Sequence, residues 1–193
     1  TSTLPINSLA EEWPDQSRFI GIHFFSPVEK MLLVEVILGK NTGDVALATA
    51  LDYVRQISKT PIVVNDSRGF FANRCVLRFT AEGLEMLMEG VPPAMIENTA
   101  RMAGMPVGPL SLSDEVALDL VLKIMKATEA DLGANAVDQQ QKKLMVAMVE
   151  KDGRFGRKNG KGFYDYPEKG KGQKSLWSGI AALQPKHLDP DTL

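Results

Sequence analysis

RFIGIHFFSPVEKMLLVEVI, residues 18–37, decides how the chain begins to fold. Residues 18–25 (RFIGIHFF) form a short apolar run bounded by polar residues and Pro27, which reads as a buried strand. Residues 31–37 (MLLVEVI) read as a second strand, rich in β-branched side chains, with Glu35 inside it. Gly39 and Asn41 then mark a turn. Outward from there, Val45, Ala48, Leu51, Val54 and Ile57 recur at helical spacing behind Thr42 or Asp44 as N-cap. Residues 60–65 (TPIVVN) make a third strand. Strand, strand, helix, strand is the order expected at the end of an α/β sheet.

The pattern changes at Asp66-Ser67-Arg68-Gly69. Helical periodicity dominates afterwards, over about residues 70–89, 93–103, 112–132 and 136–151. Gly90, Gly104, Gly133 and Gly153 follow these segments, where C-terminal glycines belong. Pro92-Pro93 and Ser113-Asp114 read as helix starts. The helical part is expected to close at residues 160–166 (GKGFYDY). A Gly/Lys-rich linker follows, and the stretch to Leu193 promises little structure. The expected organisation is therefore an α/β portion over residues 1–66, an all-α domain over 67–166, and a linker or tail over 167–193. No internal repeat is visible.

Composition narrows the function classes. Apolar residues make up 44% and charged residues 24% of 193, and the net charge is −2. That balance gives no basic field for nucleic acid or an anionic membrane surface. No stretch approaches the roughly 18 apolar residues of a membrane span, and the N-terminus lacks the features of a signal peptide. One cysteine, Cys75, excludes an internal disulfide and a thiolate metal cluster. The expected compartment is the cytoplasm or another reducing space. The chain starts without Met and ends at HLDPDTL, and both ends read as cuts through something longer.

His23 is the most informative residue for chemistry. It ends a strand just before Pro27, where α/β sheets place ligand-facing groups. Glu35 lies in the next strand, and adjacent strands can bring its carboxylate to the ring, fixing the tautomer of a general base. Spacing alone leaves the alternative open: a satisfied core histidine beside a solvent-facing glutamate.

Four stretches carry a resemblance. HFFSPVEKMLLVEVI (23–37) resembles the HFFNP…LVEVI signature of the 3-hydroxyacyl-CoA dehydrogenases. DSRGFFANR (66–74) resembles their D-x-x-G-F-x-x-N-R, MPVGPLSLSD (105–114) their P-x-G-P-x-x-L-x-D, and NGKGFYDY (159–166) the end of their first helical domain. Together they cover residues 1 to about 166, in wording similar to the dehydrogenase region of multifunctional fatty-acid β-oxidation enzymes. The resemblance implies the last strands of a Rossmann-type sheet followed by an all-α C-terminal domain. It implies His23 as general base for the 3-hydroxyl of an acyl-CoA substrate, and Glu35 as the carboxylate that orients it. Ser2 and Asn73 are implied to hold substrate oxygen, and NAD to accept the hydride. Ser26 stands where many members carry Asn, so the hydrogen bond of that amide is weakened or rerouted.

The G-x-G-x-x-G turn that seats a dinucleotide, with its acidic partner, is absent from the sequence. The chain is thus expected to lack its own cofactor-binding residues and, alone, to be inactive and not to bind NAD. A missing N-terminal NAD-binding half and a further helical domain are the implied partners, and self-association of the fragment is expected. Two other readings compete: a stand-alone 3-hydroxybutyryl-CoA dehydrogenase, and a non-catalytic helical association module.

Blander roles are expected elsewhere. Cys75 reads as a buried inert thiol and Arg74 as structural. Asp114 reads as a helix cap, and Arg154, Arg157, Lys158 and Lys161 as a solvated turn. Trp13 and Trp177 read as packing anchors, and most helical methionines as core.

Overall fold

The computed structural model describes residues 4–168, 171–189 and 191. The chain forms two compact units, residues 1–77 and 78–193.

The first unit is built on three strands: β1 (Gly21–Phe24), β2 (Leu33–Leu38) and β3 (Thr60–Asn65). The order is β1-β2-β3, β1 antiparallel and β3 parallel to β2. The parallel pair requires a crossover, supplied by α2 (Asp44–Gln56). Side chains alternate along β2. Val34 and Val36 pack with Ala50 and Val54 of α2, along with Ile22 and Phe24. Glu35 and Ile37 point to the opposite face, where Ile37 packs with Ile6 and Phe70. Residues 34–37 are all buried, so β2 is enclosed on both faces and Glu35 is the single charge inside that run. A short helix, α1 (Ile6–Ala10), escaped the sequence pattern; Asp66 at the end of β3 holds its first amides, Ile6 N at 3.0 Å and Asn7 N at 2.9 Å.

Helix α3 (Ala72–Met88) starts in the first unit and continues into the second. The second unit holds α4 (Pro93–Met102), α5 (Pro109–Val116), α6 (Leu118–Leu132) and α7 (Gln139–Val146), the last running into a π-helical turn, Ala147–Lys151. Leu84, Leu87, Ile96, Leu110, Leu118 and Met145 are among the buried side chains of its core. The glycines at 90, 104, 133 and 153 all have positive φ, as C-terminal positions require. No helix among the described residues is long and apolar enough to cross a membrane.

Several details differ from the sequence pattern. The helix expected over 112–132 begins earlier and is broken at Ala117 (φ 85°). There the amide of Leu118 donates to Phe155 O at 3.1 Å, so the α5 ladder cannot continue. Asp114 caps nothing: it lies inside α5, 1% exposed, and accepts from Phe163 N (2.8 Å), Tyr164 N (2.9 Å) and Tyr166 Oη (3.1 Å). Gly162 is obligatory in this cradle, because a Cβ there would lie 2.0 Å from Asp114 Oδ1. Arg154 is buried rather than solvated, donating to Gly162 O at 2.6 Å and lying over the Trp177 ring at 4.0 Å. Cys75 is exposed. The buried stripe of α3 runs through Gly83, Leu84 and Leu87, and position 75 falls off that face. Trp13 is 53% exposed, whereas Trp177 packs against the core.

The tail is docked rather than loose. β4 (Tyr164–Asp165) pairs with β5 (Ser175–Leu176), and α8 (Ile180–Leu183) buries Ile180. Gln184 Nε2 donates to Leu87 O (2.9 Å) in the last turn of α3 and to Val91 O (3.1 Å) in the turn that follows it.

Burial pushes the Asp114 carboxyl up to about 6, against the lowering effect of the Phe163 and Tyr164 amides, the Tyr166 hydroxyl and the Lys174 charge. A carboxyl raised from 3.8 to about 6 on folding holds its proton more tightly in the native state. Its contribution to stability is complete below pH 4 and is lost as pH rises through about 6, a change of roughly 3 kcal/mol. In thermal unfolding, the stability of wild type relative to Asp114→Asn, whose side chain does not titrate, should therefore fall between pH 4 and pH 7 by about that amount. A difference that is constant with pH contradicts this.

Candidate active site

The antiparallel register sets His23 directly opposite Glu35 on one face of the β1–β2 pair. Directly opposed residues bring their Cβ atoms to about 5 Å, within reach of a contact between ring and carboxylate. His23 Nδ1 lies 2.9 Å from Glu35 Oε2. The carboxylate can only accept, so Nδ1 donates, and the neutral ring keeps its lone pair on Nε2. That is the tautomer a general base needs. The His23 side chain is 13% exposed and that of Glu35 0%, so the pair has a single, partly open side at the imidazole.

The second Glu35 oxygen is engaged as well. Oε1 accepts from Phe71 N at 2.9 Å and Ala72 N at 2.8 Å. These amides open α3, where no carbonyl of the helix itself can reach them, and the helix start favours a negative charge. Two aromatic rings flank the imidazole. Phe25 meets it edge-on at 4.8 Å and Phe70 at 5.8 Å between centroids.

Of the residues singled out in the sequence, His23 and Glu35 come into contact. Asn73 follows Ala72 on the first turn of α3 and is half-buried. Ser2 lies outside the described residues. Sequence reasoning missed the Phe71 and Ala72 amides, whose only local signal was Gly69 ahead of a helical pattern. It also missed Phe25 and Phe70 as walls of the imidazole. Among the described residues, no group of three or more His, Cys, Asp or Glu side chains could hold a metal ion.

A dinucleotide site in such a fold would lie at one of the two strand-to-helix turns of this unit. Such a site needs a row of free amides at a helix start. In the turn from β2 to α2, Gly39 N donates to Thr42 Oγ1 (2.8 Å), Lys40 N to Asn7 Oδ1 (2.6 Å) and Gly43 N to Ser17 O (2.8 Å). In the turn from β3 to α3, the leading amides hold Glu35. Neither turn carries the G-x-G-x-x-G sequence of a pyrophosphate site.

Residues 69–166 match the family model of the 3-hydroxyacyl-CoA dehydrogenase C-terminal domain, and residues 1–67 match that of its NAD binding domain. The chain belongs to the 3-hydroxyacyl-CoA dehydrogenase family. Among solved structures it is similar to (S)-3-hydroxybutyryl-CoA dehydrogenase PaaH1 of Ralstonia eutropha, with 36% identity and a TM-score of 0.74 over 87% of this chain and 59% of that one. The 3-hydroxybutyryl-CoA dehydrogenase of Escherichia coli K12 is 28% identical (TM-score 0.73), with 93% of this chain and 39% of that one covered. The dehydrogenase part of multifunctional enzyme 1 from C. elegans is 26% identical (TM-score 0.65), with 100% of this chain and 44% of that one covered. The chain thus spans less than two thirds of each of these relatives.

Proposed function

We propose that this chain supplies the proton-transfer side of an NAD-dependent L-3-hydroxyacyl-CoA dehydrogenase of fatty-acid β-oxidation. The carrying observation is the Glu35–His23 contact of 2.9 Å, at the positions where the family resemblance implies a catalytic pair. In this reading His23 Nε2 takes the proton of the substrate 3-hydroxyl. Glu35 holds the ring in the Nε2-free tautomer and stabilises the imidazolium that forms. Asn73 and Ser2 hold the substrate oxygen, which fixes the reacting carbon. When bound to the whole protein, NAD would supply the hydride-accepting chemistry opposite C3. In this reading the seat of its pyrophosphate lies outside this sequence, which contains no G-x-G-x-x-G turn. The C. elegans match extends through the entire chain, docked tail included, which favours a multifunctional parent. A second reading, a short-chain 3-hydroxybutyryl-CoA dehydrogenase, is favoured by the higher identity to the Ralstonia enzyme.

In the whole protein, His23→Gln should lower kcat by about 10²- to 10⁴-fold, the range supplied by one general base. Undiminished turnover would mean that the base lies elsewhere, or that the chain is a non-catalytic module. The 193-residue chain alone should leave NADH fluorescence unchanged on titration. Saturable binding in the micromolar range would contradict the placement of the cofactor seat.

A further inference from the structure

We propose that Phe70 is a positioning residue for the His23–Glu35 pair, an inference that rests on the reading of His23 as the base. Phe70 reaches both members of the pair by different parts of itself.

Its backbone acts on Glu35. Gly69 (φ 78°) and Phe70 (φ 48°) are consecutive residues with positive φ between β3 and α3. Glycine adopts such angles freely, but a bulky aromatic residue there is a true outlier. The turn is closed by Phe70 N donating to Ser67 O at 2.8 Å. It reverses the chain so that the next two amides, Phe71 N and Ala72 N, converge on Glu35 Oε1. A Phe70 backbone relaxed to negative φ would swing those amides away and leave one oxygen of a fully buried carboxylate without donors.

The ring acts on His23. Phe70 is 4% exposed and packs with Ile6 and with Ile37, which follows Glu35 by two positions on the same face of β2. Its ring stands 5.8 Å from the imidazole at 57°, while Phe25 meets that imidazole from 4.8 Å at 64°. The two aromatic contacts limit rotation of the His23 ring, and the hydrogen bond to Glu35 is thereby kept in line. If φ were the only requirement, Gly or Asn would meet it at less cost. The burial of a phenyl ring against both the core and the imidazole is what offsets the strained backbone. Strain of this kind collects where geometry matters to function.

The test uses the 193-residue chain with ¹⁵N-labelled histidine, the signal of His23 being assigned by comparison with His187→Gln. Wild type should show a single tautomer, protonated at Nδ1, with a slowly exchanging Nδ1–H. Phe70→Leu, which keeps an apolar filler, and Phe70→Gly, which removes the φ strain and the ring together, should each mix the tautomers. Each should also abolish the slow exchange of Nδ1–H. Val54→Ala, a cavity in the other core cluster of this unit, should loosen packing but leave the His23 signals unchanged. If Phe70→Leu and Phe70→Gly both keep the wild-type signals while Glu35→Gln loses them, the positioning role is overturned and the dyad stands. The role is equally overturned if Val54→Ala disturbs His23 as much as the Phe70 variants do. If wild type lacks the Nδ1–H tautomer, the dyad itself is wrong and the inference falls with it.

Discussion

A carboxylate sealed from water must find donors inside the protein, and Glu35 finds three: the His23 ring and the amides of Phe71 and Ala72. Removing any of them leaves a buried acceptor short of partners, which costs more than the bond itself contributes. Glu35 therefore ties together three features distant in sequence. It fixes the β1–β2 register, because a slip of one residue would turn His23 to the α2 face. It fixes where α3 begins, because the helix must present its first amides to Oε1. It also fixes the imidazole tautomer, on which the proposed chemistry depends.

The same device recurs in the helical unit, without any sign of catalysis. Glu97 of α4, 1% exposed, accepts from Leu110 N (2.8 Å) and Ser111 N (3.2 Å) at the start of α5, and from Tyr164 Oη (2.7 Å). Asp114 of α5 accepts the amides of Phe163 and Tyr164 and the hydroxyl of Tyr166. Each buried acid joins its own helix to backbone amides elsewhere in the chain, and each adds an aromatic partner. Tyr164 and Tyr166 feel this burial and the neighbouring carboxylates, which push both phenols above their ordinary range. What separates Glu35 from the other two is its partner: an imidazole with a free nitrogen on the partly open side.

Much of this was legible in the residues. The three strands and α2, α3 and α4 fall close to their predicted places, because period-2 and period-3.6 patterns report local geometry and burial together. His23 and Glu35 were legible as candidates, although spacing could not distinguish a dyad from a core histidine. The strand register brings the two side chains into contact, and register is a tertiary property. Asp114 resembled a cap because Ser-Asp before an apolar run is a local signal. Its true partners lie 49 and 50 residues away. The tail resembled a linker because PEKGKGQK is polar and glycine-rich, yet the segment beyond it pairs with β4 and fills the core with Ile180. Nothing local marked Ala117 as a helix break, since the apolar pattern runs through it.

Amide hydrogen exchange reads whether the opening amides of α3 belong to Glu35. First-turn amides of a helix ordinarily exchange freely, since no intrahelical carbonyl protects them. Phe71 and Ala72 should instead be protected to the level of the buried β2 amides in wild type, and should lose that protection in Glu35→Ala while the β2 amides retain theirs. Free exchange of Phe71 and Ala72 in the wild-type protein would contradict the account.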